Sequence, residues 1–109
     1  QALVTLNDSV YLEASRHFAY RMQDETKSKD ANELISKGYE TAMLKPITQP
    51  KLKALVTLYD KAYTQFKDDK IKTADMVGDK DGQHNNPETA ALIVVAGAIL
   101  NLDELITKN

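Results

Sequence analysis

Residues 90–102 read AALIVVAGAILNL, and the first eleven of them, 90–100, carry no polar side chain. No other segment of the chain is apolar on every face. A helix without a polar face has to be wrapped by other elements, so this stretch reads as the central core helix of a small bundle. It falls well short of the roughly 20 apolar residues that span a bilayer, which argues against a transmembrane segment.

Working outward, Asn86, Pro87 and Glu88 open this helix. Asn86 is the cap, Pro87 takes the first position, where its missing N–H does no harm, and Glu88 faces the positive end of the dipole. Beyond Leu100 the pattern narrows to a stripe of Val95, Ile99, Leu102 and Ile106, so the helix is expected to continue to about Thr107. Small residues at Ala91, Gly97 and Ala98 would let a neighbouring helix approach closely.

Residues 79–86, DKDGQHNN, are all polar or Gly and form a loop. Before it, Ile71, Ala74 and Val77 predict a short helix closed by Gly78 as a left-handed cap. The cleanest pattern lies over residues 49–67. Leu52, Leu55, Val56, Tyr59, Ala62, Tyr63 and Phe66 follow one helical face, with Lys53, Thr57, Asp60, Lys61, Thr64 and Lys67 opposite or flanking. Thr48 is its expected N-cap, and the Tyr and Phe ladder reads as core packing.

A further helix is expected from Asp30, with Asp30 and Glu33 forming a capping box and Leu34, Ile35, Tyr39, Ala42 and Met43 buried. Gly38 inside it points to another helix passing close, and Pro46 ends it. The first helix starts at about Ser9, with Asn7 or Asp8 as cap and Tyr11, Ala14, Phe18 and Met22 on its inner face. No segment alternates with period two. The fold class is therefore all-α: four main helices and a short one around an apolar C-terminal core helix, in a single domain over residues 1–109.

Composition narrows the function classes. The net charge is −2, with 14 Lys and Arg against 16 Asp and Glu, and the basic residues are scattered, so no electropositive stripe points to nucleic acid. The chain has no cysteine, which excludes disulfides, thiolate catalysis, thiolate metal sites and covalent haem attachment within it. The start at Gln1 reads as the edge of an excised C-terminal fragment.

The loop carries one metal-like spacing. With Gly82 at the glycine of a calcium-binding loop, Asp79, Asp81, Asn85 and Glu88 fall on ligand positions. Val77 occupies the place of the first carboxylate, however, and His84 that of an apolar anchor, so a solvated Asp/Gly turn is the preferred reading. His17 and His84 lack the i, i+4 partner of a helical zinc motif, and no G-x-S-x-G elbow or glycine-rich phosphate loop is present. No catalytic, cofactor-binding or metal site is assigned. Asn7 and Asp8, and Asn101, Asp103 and Glu104, instead place polar groups against apolar neighbours near the two ends of the chain. They are candidate interdomain polar contacts.

Those same residues carry a resemblance. QALVTLND at residues 1–8, KPIT at 45–48 before a long amphipathic helix, and ETAALIVVAGAILNLDELITKN at 88–109 resemble the end of the Planctomycetes-specific domain of unknown function. That domain closes large secreted bacterial proteins, commonly downstream of a cytochrome-c-type haem domain. The resemblance covers nearly the whole chain. It departs at Leu44 and Lys45, where the family tends to have a Gly-Arg pair before the proline, and it supplies no catalytic residues. It implies an extracytoplasmic location and a multidomain parent, with haem c in that parent rather than in this fragment, acting in electron transfer or polysaccharide metabolism.

Two functions are expected from this. The first is a structural or interaction module that docks upstream domains of the same parent, presenting an exposed apolar patch near its N-terminal segment. The alternative is an active site built mainly by those upstream domains and completed by Asn7, Asp8, Asn101, Asp103 or Glu104. Calcium binding by the 79–88 loop stands third.

Overall fold

The helix at the centre of the molecule, α5 (Pro87–Leu100), is opened by a cap written in its sequence: Asn86 Oδ1 accepts from the Thr89 amide at 2.8 Å, with Pro87 and Glu88 in the first turn. The computed structural model describes residues 9–78 and 82–102. Four helices precede α5: α1 (Ser9–Glu25), α2 (Ala31–Met43), α3 (Gln49–Lys67) and α4 (Lys70–Val77). The described residues include no strand. Ala90, Ala91, Leu92, Val95, Ala96 and Ile99 are fully buried. Removing so many aliphatic side chains from water, at about 25 cal/mol per Å², makes α5 the main source of cohesion.

Helices α1 and α3 pack most extensively on α5, α2 lies across both, and α4 closes one side. α1 runs antiparallel to α5. Tyr11, near the start of α1, donates its hydroxyl to the Gly97 carbonyl, while Gln23, near its end, donates to Thr89 Oγ1 at 3.0 Å. α3 buries Leu55, Ala62 and Phe66, half-buries Leu52, Val56, Tyr59 and Tyr63, and exposes its polar positions as expected. Thr48 caps it, accepting from the Lys51 amide.

Gly78 closes α4 in the left-handed region at φ 78°. Gly38 is buried against Met22 of α1, where a Cβ would overlap the thioether, so the expected helix crossing is present.

Several expectations are corrected. On α1, Ala14 is exposed and Ser15 is buried. A serine can be buried here because its hydroxyl donates to the Tyr11 carbonyl at 3.0 Å, and its small size suits the approach to Gly97. On α4, Ile71 is 77% exposed while Thr73 is buried, its hydroxyl shared between the carbonyls of Phe66 and Asp69 at 2.8 and 2.9 Å. Asp30 holds the N-cap position of α2 without a side-chain cap bond, so the capping box does not form. Its amide donates instead to Ser28 Oγ at 2.9 Å. α2 stops at Met43, where Leu44 turns left-handed at φ 60° with 87% of its surface exposed. α5 closes at Leu100, short of Thr107, with the Asn101 amide bonded back to Gly97 and Ala98. Asn7 and Asp8, the expected caps of α1, lie outside the described residues.

Candidate functional site

The core helix is not fully sheathed. Val94 and Ala98, one helical turn apart on α5, are only half-buried. They form the floor of an open groove of about 260 Å³ that includes Ile93 and Gly97, with Tyr11, Leu12 and Ser15 of α1 along one side and Met76 of α4 on the other. Asn101 stands at its end. The groove exists because α5 is apolar all round, whereas α4 is only eight residues long and covers just part of the face left between α1 and α3.

The polar groups around this groove are engaged in structure. The Tyr11 hydroxyl donates to Gly97 O and the Ser15 hydroxyl to Tyr11 O, and burial pushes the Tyr11 phenol above its usual range. Neither group is set up to give or take a proton at neutral pH. What remains is aliphatic surface from Leu12, Val94, Ala98 and Met76, chemistry suited to packing. A second, wider groove of about 590 Å³ runs between α2 and α3, but Asn32, Gln49, Lys53 and Thr57 make its lining a mixture of polar and apolar groups.

Of the candidate interdomain contact residues, Asn101 is among the described ones, and it lines the groove. It is exposed, because α5 ends one residue earlier and the chain turns there. Asn7, Asp8, Asp103 and Glu104 lie outside the described residues, as do Asp79 and Asp81 of the loop. Asn85 donates its amide to Gly82 O at 3.2 Å, and Glu88 is exposed in the first turn of α5. Glu88 also acts on Tyr59, whose phenol is pushed up to about 12, first by burial and then by this carboxylate. Among the described residues no group of three or more His, Asp or Glu side chains could hold a metal ion.

The histidines behave differently from each other. His17 is exposed on α1 beside Glu13, at 3.5 Å. His84 stacks on Tyr20 with ring centroids 4.0 Å apart, and the Tyr20 hydroxyl donates to Val77 O at 3.2 Å. Tyr20 therefore ties both sides of the α4–α5 connection to α1. Sequence reasoning missed this, since partners 57 and 64 positions away leave no local pattern.

The described residues form a small all-helical bundle, and none of their helices is long and apolar enough to cross a membrane. Compared with protein-family models, curated proteins and solved structures, the chain matches none of them.

Proposed function

We propose that this chain is a non-catalytic helical docking module of a larger protein, and that the groove over Val94 and Ala98 is where it receives an apolar element. The observation that carries the reading is a floor of core-helix side chains open to solvent in a fold whose nearby hydroxyls are already hydrogen-bonded. Apolar surface left open on a core element gains free energy when a partner covers it, at about 25 cal/mol per Å².

The resemblance of residues 1–8, 45–48 and 88–109 to the Planctomycetes-specific domain supports upstream domains of the same parent as the partner. On that resemblance the parent is an extracytoplasmic protein, and any haem belongs to its upstream part. The test compares amide exchange in this chain alone and within its complete open reading frame. Slower exchange at Val94 and Ala98 in the complete protein is expected, and unchanged exchange there would remove the docking reading.

A further inference from the structure

We propose that the corner where α2 turns into α3 is a second recognition surface, one that takes an extended acidic segment of a protein partner. This goes beyond the groove over Val94 and Ala98 and does not rest on it. Residues 41–59 contain no acid, where an even spread of the 16 Asp and Glu would place several, and they carry Lys45, Lys51 and Lys53. Among the described residues neither Lys45 nor Lys53 has a carboxylate within ion-pair distance. Lys51 is held against α2, its Nζ donating to the Tyr39 hydroxyl at 3.3 Å and lying 5.5 Å from the centre of that ring. The corner is therefore a fixed patch of one sign, to which an acidic partner is complementary.

Leu44 stands at the same corner at a cost to the fold. It exposes 87% of its surface and holds φ 60°, a conformation that glycine adopts with less strain. A partner that covers Leu44 gains the apolar burial that this chain alone forgoes.

The groove between α2 and α3 sets the conformation of the occupant. Gln49 and Pro50 lie at its corner end, while Thr57 and Asn32, in the first turn of α2, lie away from it. The side chains of Asn32, Gln49 and Thr57 both donate and accept, which matches the unpaired N–H and C=O groups of an extended backbone; a helix has already paired its own. Leu52 and Val56 of the lining are one turn apart on α3, a rise of about 6 Å. Alternate side chains of an extended chain recur at about 6.7 Å, so two apolar residues with one between them fit these positions. Lys53 is the charged residue of the lining, and Glu33, beside Asn32, is not part of it. The acids of the segment thus belong towards the corner, near Lys45, Lys51 and Lys53. A bilayer surface could cover Leu44 but could not enter a groove between two helices, which selects a peptide.

The test titrates the full 109-residue chain into a fluorescein-labelled peptide, GEELEVSG, with GKKLKVSG and GEESESSG as controls, and reads anisotropy. The proposal expects saturable binding of the first peptide and binding of both controls weaker by at least about tenfold. Lys53→Glu should weaken binding of the first peptide about tenfold at an unchanged melting point. Leu44→Gly should weaken it about threefold while the melting point rises, a combination that loss of folding cannot produce. Ala98→Gln, in the groove over the core helix, should leave the affinity as it was. No saturation by about 1 mM peptide, equal affinity for the lysine peptide, or a loss in Ala98→Gln without one in Lys53→Glu overturns the proposal. So does Lys53-dependent sedimentation with phosphatidylglycerol vesicles in the absence of peptide binding, which would assign the corner to a membrane. The docking reading is tested by exchange at Val94 and Ala98, so the two fail separately.

Discussion

The Arg16 guanidinium of α1 sits across the C-terminal end of α4, with Nε donating to the Met76 carbonyl at 2.9 Å. Nη2 of the same group reaches Asp75 O at 3.0 Å, and Nη1 pairs with Glu13 at 2.9 Å. A cation on the last carbonyls of a helix satisfies acceptors that have no partner within it and opposes the negative end of the dipole. Only 17% of the Arg16 side chain is exposed, so these bonds are partly shielded from water. For an eight-residue helix this is a principal anchor. Replacing Arg16 with Ala is expected to destabilise the protein by about 1–3 kcal/mol, with amide exchange accelerating over α4 before α3. Urea unfolding and exchange together check it.

Gly78 adjoins the same anchor. Its φ of 78° disfavours any side chain, and a Cβ there would fall against the Arg16 guanidinium. Gly78→Ala is expected to cost about 1–2 kcal/mol. Because both changes disturb one contact, the Gly78→Ala and Arg16→Ala penalties should sum to more than the double variant loses, by at least about 0.5 kcal/mol in a double-mutant cycle.

Leu44 has the opposite problem. It holds a left-handed backbone conformation as the cap of α2, its amide donating to Glu40 O at 2.8 Å, while its side chain packs on little. Leu44→Gly should relieve the strain and keep the cap bond, stabilising the fold by about 0.5–1 kcal/mol. Thermal melts should show a midpoint higher by a few degrees, and an unchanged or lower midpoint would contradict this account.

The Tyr59 phenol should make the protein alkali-sensitive. Its folded-state value lies near 12, above the ordinary 10, first because of burial and then because of Glu88. A raised value means that the folded state resists ionisation. This contribution to stability is complete below pH 10 and is lost as pH rises from 10 towards 12. Melting points measured across pH 8–12 should fall over that window. The fall should be shallower in Tyr59→Phe and, to a smaller extent, in Glu88→Gln.

Thr89 and Gln23 form a partly buried link between α1 and α5, with Thr89 only 1% exposed. Thr89→Val keeps the shape but leaves the Gln23 amide without this acceptor. A loss of about 1 kcal/mol is expected in chemical unfolding, and Gln23→Leu in the same background should recover part of it.

Legibility in the sequence followed the range of each interaction. α3 could be read almost position by position, since an amphipathic helix on one core states its inner face in its period. The caps at Thr48, Gly78 and Asn86 were legible because each cap and its hydrogen-bond partner lie within four residues. The Asp30 capping box was not, since the Ser28 hydroxyl accepts from the Asp30 amide instead. Ser15 and Thr73 were passed over in favour of Ala14 and Ile71 because hydropathy counts a hydroxyl as polar, whereas a local carbonyl acceptor lets it be buried. The groove was not placed by the sequence, which offered only an apolar patch near the N-terminal segment, residues outside those described. Its position depends on how far α4 extends over α5.

The amino-acid order by itself determined that the described residues are all-helical, where α1, α3 and α5 begin, and that residues 90–100 form the central helix. Those outcomes follow from periodicity, from caps a few residues long and from one segment with no polar face. Tertiary structure alone decided which side of α5 stays open, which hydroxyls are buried, and that Arg16 and Tyr20 tie α4 and the following loop to α1. These depend on contacts between residues some 60 positions apart, and such contacts are set by how helices pack rather than by local spacing.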